Sequence, residues 1–373
     1  MTTSLPNHPQ LMRQAIELAK RGRGSVEPNP SVGCVIVKEG RVIGQGYTQP
    51  YGGAHAEPTA LANCSESPVG ATAYVTLEPC CHTNKQTPPC VPRLIEAKIL
   101  RVIVGCLDPN PSVNGQGVAQ LRDAGIEVVT GILEKECQQL IAPFIATTVH
   151  HRPYITLKWA QTVDGKIAGP NGRTLQISNE HSRLVVHALR GRCDAIAVGI
   201  NTVLADNPVL TVREAPSLRP LTRYVLDRQL RIPLESSLVQ SAKESPVVVA
   251  TYPAHMTCSK AEQLRALGAE LIAVSSLGQV IADWHRRRFT HVLVEPGSAL
   301  ARAFFAANYA DRLWVITSPK ELQSSIAPSA SPIPGYFHAT GKVSLQGDEL
   351  VEYLNTQSPV FFSPEISADF PQK

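Results

Sequence analysis

Three short segments decide how this sequence is interpreted: His55-Ala56-Glu57, Tyr74-Val75-Thr76-Leu77-Glu78-Pro79-Cys80 and Thr87-Pro88-Pro89-Cys90. The first predicts a helix that opens with an imidazole and a carboxylate, both directed toward one point at the helix N-terminus. The second predicts a thiolate after a β-strand and the third a thiolate at the start of a helix, so both can converge on that point. One nitrogen and two sulfur ligands favour zinc, and three protein ligands leave a fourth position for water. The pattern therefore predicts a catalytic zinc site.

The predicted ligands of this zinc ion are His55, Cys80 and Cys90. Zinc lowers the pKa of a bound water toward about 7, which produces a nucleophile at neutral pH. Glu57 is not a ligand, so its carboxylate can carry a proton to a leaving amine. A zinc-stabilised binding module is the alternative, and it would need a fourth protein ligand from His82 or Cys81.

These segments lie within a regular alternation of predicted helices and strands. A helical repeat over residues 11–19 precedes a β-branched strand at 32–37. Strands at 73–77, 101–105 and 126–129 then alternate with helices at 56–62, 91–97, 118–124 and 134–144. This order predicts an α/β layer sandwich.

The length of 373 residues exceeds the size at which one hydrophobic core usually stops growing, which favours two domains. The segment 148–153 ends in an Arg-Pro pair that interrupts the alternation, so we predict a linker there, between domains at 1–147 and 154–373. The second domain repeats the alternation, with strands near 154–159, 195–198, 224–226, 247–250, 271–274, 292–295 and 313–316 and helices near 180–189, 260–267 and 299–306. The Ser- and Pro-rich segment 324–334 predicts a loop, and the last ten residues predict a frayed end.

Composition and charge exclude several classes of protein. A hydrophobic fraction of 43% with 18% charged residues is typical of a soluble globular protein, and no window offers the roughly 18 apolar residues that a membrane span requires. The formal charge of +4, with no basic run longer than three residues, gives no support to a nucleic-acid partner. Residues 1–10 lack the pattern of a signal peptide, so we expect the nine cysteines to be reduced and the protein to be cytoplasmic.

The second predicted domain has no Gly-x-Gly-x-x-Gly after a strand, so spacing alone does not indicate a Rossmann dinucleotide site. The small and polar segment 199–208 follows a predicted strand, where binding loops are common. An ordinary turn is the alternative for this segment.

The first half of the chain resembles the deaminase domain of bacterial riboflavin-biosynthesis proteins, in which a long loop between two cysteines ends in Thr-Pro-Pro-Cys. The resemblance rests on the three segments above and on Pro28-Asn29-Pro30-Ser31-Val32-Gly33 and Asp108-Pro109-Asn110-Pro111. It implies a cytidine-deaminase-like three-layer α/β/α fold and a phosphoribosylated pyrimidine as substrate. The residues that it implies as substrate contacts are Asn29, His82, Lys85, Asp108 and Asn110.

The second half resembles the reductase domain of the same proteins over residues 158–166, 202–213 and 295–298. This similarity implies a dihydrofolate-reductase-like α/β fold and NADPH as the hydride donor. The implied contacts to NADPH are Ala160, Gln176, Thr202, Asp206, Gly297, Ser298, Ala299, Leu300 and Ala301. The implied contacts to the phosphoribosyl substrate are Lys158, Thr174, Arg190, Leu210, Arg213 and Glu295, with Lys158 polarising the sugar and the two arginines suited to its phosphate.

The chain departs from the family pattern at four places. Nine residues separate Cys80 from Cys90 where the family has eight, so Cys81 competes with Cys80 as a ligand; Cys80 is preferred because it follows Glu-Pro. Thr48 stands where the family has a histidine. Gln176 stands where a tryptophan is expected near the nicotinamide, and residues 321–325 lack a glycine-rich turn.

Together the resemblances imply a bifunctional enzyme of riboflavin synthesis. It would deaminate 2,5-diamino-6-ribosylamino-4(3H)-pyrimidinone 5′-phosphate and then reduce the ribosyl group to ribityl with NADPH. One alternative is a deaminase whose second domain is degenerate. Another is a deaminase of cytosine or adenine, which the long cysteine loop disfavours. Members of the family often form homo-oligomers, so a homo-oligomer is compatible with the resemblance.

Overall fold

The computed structural model describes residues 7–83, 87–111 and 113–363, which divide into two compact units between His150 and His151. The predicted frayed end, residues 364–373, and the proposed substrate contact Lys85 lie outside the described residues. No helix in the part of the chain that the structure describes is long and apolar enough to cross a membrane.

The first unit is a five-stranded sheet with helices on both faces. Its strands are β1 (Gly33–Lys38), β2 (Arg41–Tyr47), β3 (Thr72–Leu77), β4 (Arg101–Cys106) and β5 (Glu127–Thr130), in the order β2-β1-β3-β4-β5. Its helices are α1 (His8–Lys20), α2 (Ala56–Ala62), α3 (Cys90–Glu96), α4 (Gln116–Asp123), α5 (Glu134–Leu140) and α6 (Ala142–Thr148). Strand β1 pairs antiparallel with β2 and β3, whereas β3, β4 and β5 are parallel. Helix α1 contacts α5, and α3 contacts both α2 and α4, so the helices form two groups around the sheet. This arrangement confirms the predicted three layers.

Two features of the first unit differ from the sequence prediction. Strand β2 was not predicted, because Gly44 and Gly46 weaken its strand pattern. Both glycines are required by the close packing of α2, since a Cβ at Gly44 would lie 2.5 Å from the Ala60 carbonyl oxygen and one at Gly46 would lie 2.4 Å from the Ala60 nitrogen. The helix predicted at 134–144 is instead two helices, because Pro143 starts a new helix at its second position.

The second unit contains one nine-stranded sheet. Its strands are β6 (Tyr154–Thr162), β7 (Ala195–Gly199), β8 (Thr222–Leu226), β9 (Val247–Thr251), β10 (Glu270–Ala273), β11 (His291–Glu295), β12 (Arg312–Ser318), β13 (Phe337–Leu345) and β14 (Asp348–Asn355). Their order is β10-β9-β8-β7-β11-β6-β12-β14-β13; the first seven in this order are parallel, and β14 and β13 are antiparallel. Its helices are α7 (Glu180–Arg190), α8 (Ile200–Asp206), α9 (Ser237–Gln240), α10 (Ser259–Ala266), α11 (Leu277–Arg286) and α12 (Ser298–Ala306).

The segment 199–208, predicted as a binding loop or turn, contains the short helix α8. Ile200 and Val203 are buried at helical spacing, and Asn207 ends the helix in a left-handed conformation with φ of 42°. The helices α9 and α11 and the hairpin of β14 and β13 were not predicted. The hairpin strands carry many polar residues, so their apolar alternation is weak.

A buried ion pair joins the start of β6 to the start of β12. The Asp311 carboxylate accepts two hydrogen bonds of 2.7 Å from the Arg152 guanidinium, one of 2.8 Å from the Ile155 N–H and one of 2.6 Å from the Ser358 hydroxyl. Asp311 is 2% exposed and Arg152 is 8% exposed. The buried charges of Arg152 and Asp311 are therefore balanced by each other and by these hydrogen bonds rather than by solvent.

We expect Asp311→Asn to lower the free energy of unfolding of the second unit by about 3–5 kcal/mol, because it leaves the buried Arg152 charge uncompensated. Glu349→Gln is the matched control: its ion pair with Lys342 is exposed, so the loss should be below about 1 kcal/mol. Urea unfolding followed by tryptophan fluorescence measures both, since all three tryptophans of the chain lie in the second unit. Equal losses in the two variants would contradict the assigned role of the Arg152–Asp311 pair.

Candidate active sites

The three predicted zinc ligands meet at one point in the first unit. His55 precedes α2 in an extended conformation, Cys80 follows the end of β3, and Cys90 is the first residue of α3 after two prolines. The His55 Nδ1 atom lies 3.5 Å from the Cys80 Sγ atom and 3.4 Å from the Cys90 Sγ atom. The three ligand atoms all lie within 4.8 Å of one another, and the group has only these three members among the described histidine, cysteine, aspartate and glutamate side chains.

Hydrogen bonds around the cluster hold the ligand atoms in position. The Thr87 hydroxyl lies 3.0 Å from His55 Nε2, which leaves Nδ1 facing the two sulfur atoms. The Cys90 N–H donates to the Cys80 carbonyl oxygen at 3.0 Å and lies 3.4 Å from the Cys80 Sγ atom. One imidazole nitrogen and two thiolates with an oriented imidazole are a donor set that fits zinc. The competing ligand Cys81 and the alternative fourth ligand His82 lie outside this group.

Glu57 is buried beside the cluster, with 3% of its surface exposed. Burial raises the pKa of the Glu57 carboxyl to about 7, and the neighbouring Cys80 adds to the rise. The side chain lines the same cavity as His55 and Cys80. A carboxyl group in this environment can both accept and donate a proton near neutral pH.

The cavity beside the cluster has a volume of about 300 Å³. Four of the predicted substrate contacts line it: Asn29, His82, Asp108 and Asn110. Thr48, which departs from the family pattern, also lines it and is fixed by a hydrogen bond of 3.1 Å from the Val32 N–H to its hydroxyl. Tyr51 and Phe144 also line the cavity. Neither was predicted, because a single aromatic residue outside a motif does not indicate a binding site.

Glu78 is a second functional side chain that the sequence analysis did not single out. Its carboxylate is buried and accepts hydrogen bonds from the backbone N–H groups of Asp108 at 3.1 Å, Gly115 at 2.9 Å and Val118 at 3.1 Å. At Gly117, a Cβ would lie 2.1 Å from the Pro79 carbonyl oxygen, so α4 packs directly against the segment that precedes Cys80. Glu78 therefore joins the segment of Cys80, a candidate metal ligand, to the loop that carries Asp108 and Asn110. The sequence feature that could have indicated this side chain is its position in the segment Glu78-Pro79-Cys80.

The second unit has a cleft of about 1580 Å³ along the carboxyl ends of its parallel strands, the edge at which open α/β sheets bind ligands. The predicted residues that line it are Lys158, Ala160, Gln176, Arg190, Thr202, Asp206, Leu210, Arg213, Glu295, Gly297, Ser298, Ala299 and Leu300. Two predicted residues are not brought to the cleft. The Thr174 hydroxyl instead donates to the Asp206 carboxylate at 2.6 Å, and Ala301 is buried in the apolar core beneath α12.

Three charged side chains, Lys158, Arg190 and Glu295, meet where β11 ends beside the middle of β6. Arg190 donates to the Glu295 carboxylate at 3.0 Å and to the Thr211 carbonyl oxygen at 2.9 Å. Burial lowers the pKa of the Lys158 ammonium group, an effect that Glu295 opposes and Arg190 reinforces. Although burial alone would raise it, the pKa of Glu295 is lowered by Arg190 and Lys158, so this carboxylate is ionised at neutral pH.

His187 is a cleft residue that the sequence analysis missed. Its Nδ1 atom accepts a hydrogen bond of 3.2 Å from the Arg213 N–H, which fixes the backbone of a predicted phosphate contact. Burial and the nearby Arg190 lower the pKa of His187, so the ring is neutral at physiological pH. His187 lies within a predicted helix next to the apolar Val186, and this pattern predicts only a buried position in a helix.

The start of α12 forms part of the cleft wall. Gly297 precedes α12 and no side chain caps the helix, so its first N–H groups face the cleft and are available to an anion. A Cβ at Gly297 would meet no atom within 4 Å, so the space above it is open to a ligand.

Two departures from the family pattern lie near the end of β12. In place of the missing glycine-rich turn, the Asp164 carboxylate accepts hydrogen bonds from the N–H groups of Leu322 and Gln323 at 3.2 and 3.0 Å. The Gln176 carbonyl oxygen accepts a hydrogen bond from Lys320 at 2.6 Å.

Comparison with known proteins assigns the two units to two domain families. Residues 5–106 match the cytidine and deoxycytidylate deaminase zinc-binding region, and residues 153–324 match the RibD C-terminal domain. The riboflavin biosynthesis protein RibD of Actinobacillus pleuropneumoniae is 44% identical over 91% of this chain and 92% of its own length. The RibD of Aquifex aeolicus is 42% identical over 83% of this chain and 86% of its own length.

Solved structures give the same result. Acinetobacter baumannii RibD has a TM-score of 0.80 at 34% identity and covers 94% of this chain and 99% of its own. A diaminohydroxyphosphoribosylaminopyrimidine deaminase/5-amino-6-(5-phosphoribosylamino)uracil reductase of Thermotoga maritima has a TM-score of 0.78 at 36% identity, over 93% and 98% of the two chains. With a zinc-binding deaminase region followed by a reductase domain, this chain belongs to the RibD family of bifunctional riboflavin-biosynthesis enzymes.

Proposed function

We propose that residues 1–147 deaminate 2,5-diamino-6-ribosylamino-4(3H)-pyrimidinone 5′-phosphate, that residues 148–153 are a linker, and that residues 154–373 reduce the ribosyl group of the product to ribityl with NADPH. The observation that carries the first step is the cluster of His55, Cys80 and Cys90 beside the buried Glu57. The cytoplasmic location and the homo-oligomer remain predictions from the sequence.

In the first unit, His55, Cys80 and Cys90 would hold the zinc ion. A zinc ion so bound supplies Lewis acidity that makes water nucleophilic at neutral pH. Glu57 takes a proton from the attacking water and delivers it to the amine as the bond between nitrogen and the ring carbon breaks, so ammonia leaves. The second proton of the water moves to the ring nitrogen as the carbonyl forms. A carboxyl group with a pKa near 7 suits both transfers, because it loses and regains the proton with little driving force against it.

The substrate would lie in the cavity between Asn29, His82, Asp108 and Asn110, with Lys85 as a further contact. The His82 Nδ1 atom is buried and has no hydrogen-bond partner among the described residues, which leaves it available to the substrate. The loop of Asp108 and Asn110 is fixed by Glu78, so its polar groups are oriented before the substrate binds.

In the second unit, Arg190 and Arg213 would bind the substrate phosphate, and Lys158 would polarise the sugar with Glu295 beside it. Leu210 completes the substrate contacts in this proposal, whereas Thr174 does not line the cleft and instead donates a hydrogen bond to Asp206. The first N–H groups of α12, from Ser298 to Leu300, would bind the cofactor pyrophosphate, with Ala160, Gln176, Thr202, Asp206 and Gly297 around the rest of the molecule. NADPH supplies the hydride, and the side chains supply orientation and charge.

The test of the deamination step is Glu57→Gln. We expect ammonia release from the diaminopyrimidine nucleotide to fall by about 10²–10⁴-fold, the usual contribution of a general acid–base residue, with the zinc content unchanged. Ammonia is measured with a coupled assay and zinc by atomic absorption.

Glu66→Gln is the matched control, because Glu66 is exposed and pairs with Arg41 away from the cavity. Full activity in Glu57→Gln would refute the assigned role. If ammonia is released but NADPH is then not consumed, the chain is a deaminase with a degenerate second domain. A zinc-loaded protein that releases no ammonia would favour a zinc-stabilised binding module.

Glu78→Gln tests the link between the metal segment and the substrate loop. The amide nitrogen cannot accept a hydrogen bond, so at least one of the three backbone N–H groups loses its partner and the loop shifts. We expect the KM of the nucleotide to rise about 10-fold or more, while the zinc content stays the same and kcat changes less. Loss of zinc in proportion to activity would show instead that Glu78 acts on the metal ligands.

Lys158→Met tests the reduction step. The side chain loses its charge but keeps its approximate length, so we expect kcat for NADPH oxidation to fall about 100-fold or more while the Kd of NADPH changes less than about threefold. Ammonia release in the same sample should be unchanged, because the first unit carries that reaction. Lys243→Met, at an exposed position outside the cleft, is the control. An unchanged kcat would remove Lys158 from the reaction.

A further inference from the structure

We propose that Arg223 is a positioning residue for the reduction step and that it acts by fixing segment 207–213, which forms part of the cleft wall. The proposal rests on the proposed reductase function of the second unit. Segment 207–213 follows α8 without regular secondary structure and carries Leu210 and Arg213, two of the proposed substrate contacts. Arg223 lies on β8, is fully buried and does not line the cleft, so its effect on a ligand must pass through this segment.

Segment 207–213 has a backbone conformation that its own residues do not favour. Asn207 and Leu210 have φ values of 42° and 58°, and neither residue is a glycine. The left-handed region is unfavourable for a residue such as leucine, because its Cβ approaches the backbone too closely there. Such a conformation persists only where the surrounding structure holds it. The segment therefore depends on contacts from outside itself.

Arg223 supplies the contact at the middle of the segment. Its Nη1 atom donates hydrogen bonds to the Val209 carbonyl oxygen at 2.9 Å and to the Ser241 hydroxyl at 2.8 Å. Its Nη2 atom donates to the Ser241 carbonyl oxygen at 3.0 Å and to the Ser245 carbonyl oxygen. The two arms of the guanidinium therefore join the residue before Leu210 to the turn between α9 and β9.

Other side chains hold the two ends of the same segment. The Asn207 Oδ1 atom accepts a hydrogen bond of 2.7 Å from the first N–H of α9. At the far end, Arg190 donates to the Thr211 carbonyl oxygen, and the Arg213 N–H donates to His187. Arg223 acts between these ends, so its removal should release the backbone of Leu210 and shift the side chains on both sides of it.

Stability alone does not account for a buried guanidinium at this place. In the described part of the chain, the Arg223 side chain donates only to uncharged oxygens, and its Nε atom has no hydrogen-bond partner. Burial lowers the pKa of Arg223 to about 10, an effect that Glu244 opposes. The group is still charged at neutral pH, but folding disfavours that charge relative to water. An apolar side chain would avoid this cost but could not hold Val209.

The test is the steady-state kinetics of NADPH oxidation by the full chain, with 5-amino-6-(5-phosphoribosylamino)uracil as the varied substrate. Arg223→Met keeps the approximate length of the side chain but removes its charge and its donors. We expect the KM of the nucleotide to rise about 10–100-fold, and more than kcat falls, because the wall that carries Leu210 and Arg213 is no longer fixed. The Kd of NADPH should change less than about threefold, and ammonia release should be unchanged.

Two further variants separate positioning from stability. Arg223→Lys keeps the charge, but one ammonium group cannot replace two guanidinium arms, so the KM should still rise about 10-fold. Val239→Ala is the matched control, because Val239 is a fully buried residue of α9 in the same apolar cluster as Leu210. It should lower the free energy of unfolding and leave the KM within about twofold of wild type. An equal rise of KM in Val239→Ala and Arg223→Met would show that Arg223 acts only through stability.

Amide hydrogen exchange of the peptide that spans segment 207–213 is a second measurement, and it needs no substrate. Exchange should be at least about tenfold faster in Arg223→Lys than in wild type and in Val239→Ala. An unchanged KM in Arg223→Lys would overturn the proposal, even where Arg223→Met does not fold. Wild-type protein that oxidises no NADPH with this nucleotide would instead refute the proposed reduction, and unchanged exchange would then refute the fixing of the segment by Arg223 as well.

Discussion

The buried carboxylate of Glu78 is the constraint on which the deaminase unit depends. A buried carboxylate costs several kcal/mol unless hydrogen bonds replace its water, and here three backbone N–H groups from the loop and helix after β4 supply them. Because Glu78 lies two residues before Cys80, the same carboxylate fixes the position of this candidate zinc ligand relative to the loop of Asp108. The candidate metal ligands and the loop that carries the proposed substrate contacts are therefore joined by one set of buried hydrogen bonds.

Both units use the same geometric principle. In the first, Glu78 and Cys80 follow β3 and Asp108 follows β4; in the second, the cleft follows the ends of β6 to β11. Parallel strands end at one edge, so residues far apart in sequence arrive together there. The antiparallel pairings lie to one side of the parallel strands in each sheet: β1 pairs antiparallel with β2 and β3 in the first sheet, and β14 pairs antiparallel with β12 and β13 in the second. They extend the sheets without altering the edges that carry the chemistry.

The features that could be predicted from the sequence are those that depend on local sequence patterns. The grouping of His55, Cys80 and Cys90, the position of Glu57 beside them and most strands could be predicted because motif spacing and β-branched runs are local properties. Strand β2 was not predicted because its glycines are required by the packing of α2 against the strand. That contact joins Gly44 to Ala60, which lies 16 residues further along the chain. Glu78 and His187 were missed because their roles depend on backbone groups that are distant in sequence. Ala301 was expected to contact the cofactor, but a helix places only part of its first turn at its N-terminus, and this residue points into the core.

Departures from a family pattern are best judged by what replaces the lost interaction. The turn after β12 lacks glycines, yet the Asp164 carboxylate satisfies the N–H groups of Leu322 and Gln323, so the backbone there does not need them. Thr48 fixes the backbone of Val32 with its hydroxyl, which explains how a small residue can occupy a position facing the cavity. Gln176 differs, because only its backbone carbonyl is engaged, by Lys320. A flat indole at this proposed nicotinamide contact would offer apolar area that an amide side chain does not, and no described contact of the Gln176 side chain replaces that interaction.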